Sequence, residues 1–94
     1  MHLSKAVVRT EHASRYLQQL CKHWSHKFSV DFDPTKGRVP FSDAAEVTFI
    51  ADETTLTMTL SVADLTQQAR MQGVIDDHLK RFAFCEELDI VWTG

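Results

Sequence analysis

Val47-Thr48-Phe49-Ile50-Ala51-Asp52-Glu53-Thr54-Thr55-Leu56-Thr57-Met58-Thr59-Leu60-Ser61-Val62 alternates apolar and polar residues, breaks at a polar turn, and alternates again. Successive side chains of a strand point to opposite faces, so Val47, Phe49 and Ala51 share one face. Across the Asp52 to Thr55 turn, Leu56, Met58, Leu60 and Val62 share one face and Thr57, Thr59 and Ser61 the other. A hairpin with one dry and one wet face is the unit of an antiparallel sheet covered on a single side.

Toward the N-terminus the same period appears in Phe28, Val30 and Phe32, which alternate with Ser29, Asp31 and Asp33. Asp33-Pro34-Thr35-Lys36-Gly37 follows as a turn, because Pro presets one backbone angle and Gly accepts a positive one. Val39 and Phe41 make the return strand, and the middle of the chain reads as a four-strand meander.

On either side the period changes to that of a helix. Ala13, Tyr16, Leu17, Leu20, Cys21 and Trp24 recur at steps of three and four and fall on one helical face, within a helix whose C-terminal half runs on toward Lys27. Thr10 is the expected N-cap, its hydroxyl able to accept from a free N–H of the first turn. Ala6, Val7 and Val8 mark a first strand over residues 3 to 9. After the meander, Asp64 is expected to cap a second helix with Leu65, Ala69, Gln72, Ile75, Leu79 and Phe82 on its core face. Gly73 costs that helix about 1 kcal/mol relative to Ala, so it is read as a point of close packing. Leu88, Ile90 and Trp92 alternate with Asp89, Val91 and Thr93 as a last strand. The order is β-α-β-β-β-β-α-β. The expected fold is an α+β two-layer sandwich, a mainly antiparallel sheet with both helices on one face.

Residues 1–94 are read as a single domain, long enough to fold without disulfide or metal staples. Two cysteines are too few for a disulfide framework, and Cys21 falls on an apolar stripe, where a buried reduced thiol is the ordinary state. Met1-His2-Leu3-Ser4-Lys5 carries no apolar signal core, and no apolar run reaches the roughly 20 residues of a membrane span, so a soluble cytoplasmic protein with no membrane partner is expected. The net charge of −3 is uneven: +4 through Lys27, −5 over residues 28 to 64, and −2 beyond. Scattered cations on a net acidic chain, without a basic stripe of stacking aromatics, argue against nucleic acid.

The residues with chemistry cluster in two segments about fifty residues apart, Cys21-Lys22-His23-Trp24-Ser25-His26-Lys27 and Asp76-Asp77-His78-Leu79-Lys80-Arg81-Phe82-Ala83-Phe84-Cys85-Glu86. On the first helix His12, Tyr16, Gln19, His23 and His26 form a polar margin; on the second, His78 flanks the core face. If the helices pack side by side, His23, His26 and His78 are candidate ligands for zinc or iron, which take neutral imidazole. The pair lacks the local Glu of a zinc-protease helix, and the plainer reading makes His23 and His78 seam residues bonded to a carbonyl or carboxylate. Arg81, Phe84 and Trp92 are the candidate ligand-binding residues, because aromatic walls with a few polar groups build small-molecule sites. The plainer reading of Arg81 is an ion pair with Asp77 or Glu86. No nucleophile elbow, Gly-rich phosphate loop, flavin motif or nicotinamide motif is present, and no catalytic residue is assigned.

Arg15-Tyr16-Leu17-Gln18-Gln19-Leu20-Cys21-Lys22-His23-Trp24-Ser25-His26-Lys27 and His78-Leu79-Lys80-Arg81-Phe82-Ala83-Phe84-Cys85-Glu86 resemble the signature pieces of the bacterial domain of unknown function 2218 family. The resemblance extends to the Gly37 turn and the closing Leu88 to Trp92 strand. It implies no activity, substrate or catalytic residue. Related domains are associated with iron and siderophore use, so it implies a siderophore-pathway reductase as a partner. The element order also looks like the β-α-β4-α pattern of the TATA-binding-like fold with one strand added, and fold alone carries no function. Three readings follow: a non-enzymatic accessory or binding domain, a homodimeric interaction module, and a small enzyme using His78 with Cys85.

Overall fold

The computed structural model describes all 94 residues. The chain runs β1 (His2–Arg9), α1 (Ala13–Trp24), β2 (Asp31–Phe32), β3 (Lys36–Ser42), β4 (Ala45–Ala51), β5 (Thr55–Val62), a 3-10 turn (Leu65–Gln67), α2 (Gln68–Phe82) and β6 (Trp92–Thr93). The expected element order and α+β architecture hold. The strands form one sheet in the order β2-β3-β4-β5-β1-β6, and every neighbouring pair is antiparallel.

The decisive stretch sits at the sheet centre. Met58 on β5 faces Phe49 on β4 and Ala6 on β1, while Leu56 faces Ala51 and Val8. All these side chains are buried, and the intervening Thr57 and Thr59 lie on the helix-free face. The helices close the dry face. All six positions of the predicted α1 stripe are buried, and Ile75 and Leu79 of α2 join them in one core. Burying each such Leu or Ile contributes about 1.5–3 kcal/mol, so these few contacts fix which helix faces meet the sheet. Gln72 belongs to that face for a polar reason: its amide donates to the Ser4 hydroxyl on β1 at 3.0 Å, which satisfies both groups at the core margin.

Several local expectations are corrected. α1 ends at Trp24, because the Trp24 carbonyl accepts from Lys27 (3.0 Å) and Phe28 (2.9 Å) and turns the chain back. Phe28 and Val30 are therefore outside the strand, whose ladder is confined to Asp31–Phe32. His12, not Thr10, occupies the N-cap of α1; the Thr10 hydroxyl instead accepts from the N–H of the N-cap residue itself, His12, at 3.1 Å. Asp64 does cap, accepting from the Thr66 N–H at 3.0 Å, but it opens the 3-10 turn before α2. That turn tips Leu65 and Ala69 into solvent, while Met71 and Val74, outside the predicted face, are half-buried. Gly73 marks no close contact, since a methyl there would meet nothing within 4 Å. The last strand is hydrogen-bonded only at Trp92–Thr93, although Leu88, Ile90 and Trp92 do turn inward onto the core.

Candidate functional site

The turn after α1 builds one wall of a cleft. His23 and Trp24 close the helix, and the Trp24 carbonyl bonds fold Lys27 and Phe28 back beside them. β3 supplies Phe41 from below: its ring stands edge-on to Trp24 at 5.2 Å and 89°, and edge-on to Phe28 at 5.2 Å and 87°. Such T-shaped pairs favour the ring quadrupoles and hold the aromatic wall in one arrangement. α2 forms the opposite wall with Arg70, Met71, Val74 and His78.

His78 is the hinge of the site. Its ring centroid lies 5.1 Å from Trp24 and 5.1 Å from His23. Its Nδ1 lies 2.7 Å from the Val74 carbonyl one turn back. A carbonyl oxygen only accepts, so Nδ1 carries the proton and Nε2 is left free. The expected seam histidine, bonded to a carbonyl, is thus realised at His78. His23 makes no such bond and sits exposed at the mouth, edge-on to Phe82 at 6.0 Å.

The cleft has a volume of about 520 Å³, inside the roughly 300–1,000 Å³ of small-molecule sites. His23, His26, Lys27, Arg70 and His78 line it, and no carboxylate does. The electrostatic consequence is visible at His23, whose pKa is held below the usual 6.5, first by desolvation against the seam and then by the positive charges of His78, Arg81, His26 and Lys27.

The structure brings His23, His26 and His78 to one cleft, but no group of three or more His, Cys, Asp or Glu side chains has the arrangement that holds a metal ion. The other candidates scatter. Phe84 is 85% exposed and lines no cavity, and the Trp92 indole donates to Asp76 at 2.9 Å, which uses its polar end to tie β6 to α2. Arg81 forms no ion pair with Asp77 or Glu86; the ion pair present joins Arg38 and Glu46 on the helix-free face. Arg81, Phe84 and Trp92 therefore do not compose one site. The thiols separate as well. Cys21 is buried under the sheet with its pKa pushed up to about 12 by desolvation, whereas Cys85 lies past the end of α2 in a different cavity, beside Thr10, His12 and Glu86.

Arg70, Met71, Val74 and Phe41 are the site residues that sequence reading passed over. Arg70, Val74 and His78 are four apart and mark one stripe of α2, which was legible once His78 was singled out. Phe41 carried no signal beyond strand alternation. A larger cavity of about 590 Å³ lies at the β2–β3 edge, but its carboxylates and cations are interleaved. One of them, Asp33, is spent on the turn, accepting from the Thr35 and Lys36 N–H groups at 2.8 Å each.

No curated protein matches the chain. Among solved structures it is similar to the NMR structure of PA4090 from Pseudomonas aeruginosa, with 41% sequence identity and a TM-score of 0.83, over 100% of this chain and 97% of that one. The family described as "Uncharacterized protein conserved in bacteria (DUF2218)" matches residues 5–93. The chain, with its helix-seam cleft and six-stranded sheet, belongs to that bacterial family.

Proposed function

We propose that this domain is a non-catalytic binding module that seats a small molecule in the cleft between the end of α1 and the middle of α2. One observation carries the reading: His78, fixed by the Val74 carbonyl, packs at a tilt against both Trp24 and His23 beside an aromatic wall, so polar and apolar groups converge in a preformed hollow. The enzyme reading needs His78 and Cys85 in one site, and they line different cavities. A place in iron or siderophore use is the finer part of the proposal and rests on the family resemblance. In that role a metal would arrive as a complex bringing its own ligands, since the cleft offers imidazoles short of a full coordination set. A reductase would then be a partner acting on the bound complex.

Thermal-shift screening of a small-molecule library against wild type and Met71→Trp tests the proposal, because the indole would fill the hollow. Ligands that raise the wild-type Tm and leave the variant's unmoved support it. Ligands that stabilise both equally contradict it.

The homodimer reading has its own observation. Leu3, Val7 and Ile50 are 60%, 52% and 54% exposed on the helix-free face, with Val7 and Ile50 flanking Thr57 in register. That face also carries Lys5, Arg9 and Lys36, with Arg38 ion-paired to Glu46, so charge is interspersed among its apolar residues. The interspersed charge makes it the weaker reading.

A further inference from the structure

We infer that the ligand of the helix-seam cleft is an organic anion with a flat, apolar body, an aromatic carboxylate in its simplest form. The inference rests on the cleft being the ligand seat and names what it takes. The chain has 13 acidic and 10 basic residues, so an all-basic lining is a local feature and not a consequence of overall charge. Lys27 and Arg70 bring permanent positive charge from opposite walls, one from the turn after α1 and one from α2. His23, His26 and His78 complete the polar part of the lining, and no carboxylate lies within the cleft.

An Arg guanidinium presents two parallel donors that match a carboxylate, and charge-assisted bonds of this kind are the strong ones. A cation in the same place would meet two fixed like charges with nothing to offset them. The body of the ligand is set by the walls. Phe28, Phe41 and Trp24 make one side, Met71 and Val74 the other, and between them a ring system fits while a fully hydrated ion would strand apolar surface. Polar groups gather at the mouth and apolar groups behind them, so the predicted pose places the carboxylate toward Lys27 and Arg70 and the ring against Phe41.

Three matched probes decide the matter: 2-naphthoate, the neutral 2-naphthamide, and the cationic 2-naphthylmethylammonium, each titrated into the protein while amide, Trp24 indole and His78 ring resonances are followed by NMR. The expected result is saturable movement of the Trp24 and His78 signals by naphthoate, with a Kd about tenfold or more below that of the amide. Lys27→Gln/Arg70→Gln, at two exposed positions, should erase that preference while the amide binds as before. Equal or tighter binding of the amide or the ammonium at the same resonances overturns the anion class and leaves the cleft as the seat. If none of the probes moves cleft resonances, the cleft reading falls with it. Should the double variant lose its native spectrum, the wild-type ranking of the three probes still decides.

Discussion

The Tyr16 hydroxyl, at the middle of α1, donates to the carboxylate of Glu86, 70 residues further on in the coil after α2. Thr10 donates to the same oxygen at 3.2 Å, so one carboxylate ties the β1–α1 junction, α1 and the C-terminal segment together. The clamp stands about two turns before His23 on the same margin of α1, and its Thr10 and Glu86 line a different cavity from the cleft. It holds the helix whose last turn carries His23 and Trp24, and so links the C-terminal segment to the site mechanically without entering it.

Removing that hydroxyl leaves a charged acceptor with one partner fewer in a partly buried place. Tyr16→Phe is expected to lower unfolding free energy by about 1–3 kcal/mol. Urea denaturation measures it; a change within 0.5 kcal/mol, about that of an ordinary surface substitution, would mean the clamp is idle.

The same bond has an alkaline signature. Burial, the hydrogen bond to Glu86 and the charge of Glu86 together raise the Tyr16 pKa from 10.0 to about 12. The folded state therefore holds the proton more tightly than the unfolded chain. The stabilisation is complete below pH 10.0 and is lost as pH rises through about 12. The gap in denaturation midpoint between wild type and Tyr16→Phe should narrow across that window. Cys21, raised from 9.0 to about 12, weakens both proteins alike there and does not confound the difference.

Gly37 on β3 has no room for a side chain. A methyl would stand 2.6 Å from the Cys21 sulfur, in the plane where α1 presses on the sheet. Gly37→Ala is expected to cost about 1–3 kcal/mol by overpacking. In a Cys21→Ala background the cost should fall by at least half, and additive losses in the double-mutant cycle would disprove the contact.

His23 should titrate below the ordinary imidazole value of 6.5. A lowered folded pKa means the unfolded chain takes the proton first. The contribution is present above pH 6.5 and is lost as pH falls through the folded value. Ring-proton NMR reads it directly. Arg81→Gln removes one of the neighbouring charges and should raise the His23 midpoint; a His23 midpoint at or above 6.5 in wild type would contradict the positive field.

Zinc alone should bind weakly. Imidazoles among Lys27, Arg70 and Arg81 give a divalent cation few ligands and an opposing field, so calorimetry should find no Kd tighter than about 10 μM. Stoichiometric submicromolar binding, abolished by both His23→Ala and His78→Ala in folded protein, would instead make the cleft a metal centre.

The regular parts of this fold were legible because their periods are enforced by a flat, two-sided sheet and a single α1 stripe. Leu56, Met58, Leu60 and Val62 read as a strand and are all buried. What failed was set by tertiary context. Phe28 continues a period of two in sequence, but the Trp24 carbonyl captures its N–H and makes it part of a turn. α2 misled because a 3-10 turn shifts its phase, exposing Leu65 and promoting Val74. The meeting of His23 and His78 was inferred from helix adjacency, yet the cleft's character depends on Phe41 and Arg70, which only folding brings opposite each other. Phe84 and Cys85 looked chemical in sequence and lie past the end of α2, away from that meeting point.

Chemical-shift mapping of an unbiased fragment library over the whole protein tests most directly whether the cleft is the place this domain binds its ligand. The account predicts that perturbations converge on Trp24, Phe28, Phe41 and His78 for most binders. Perturbations gathered instead at Phe32 and Ile50 by the β2–β3 edge, or at Leu3 and Val7 on the helix-free face, would contradict it.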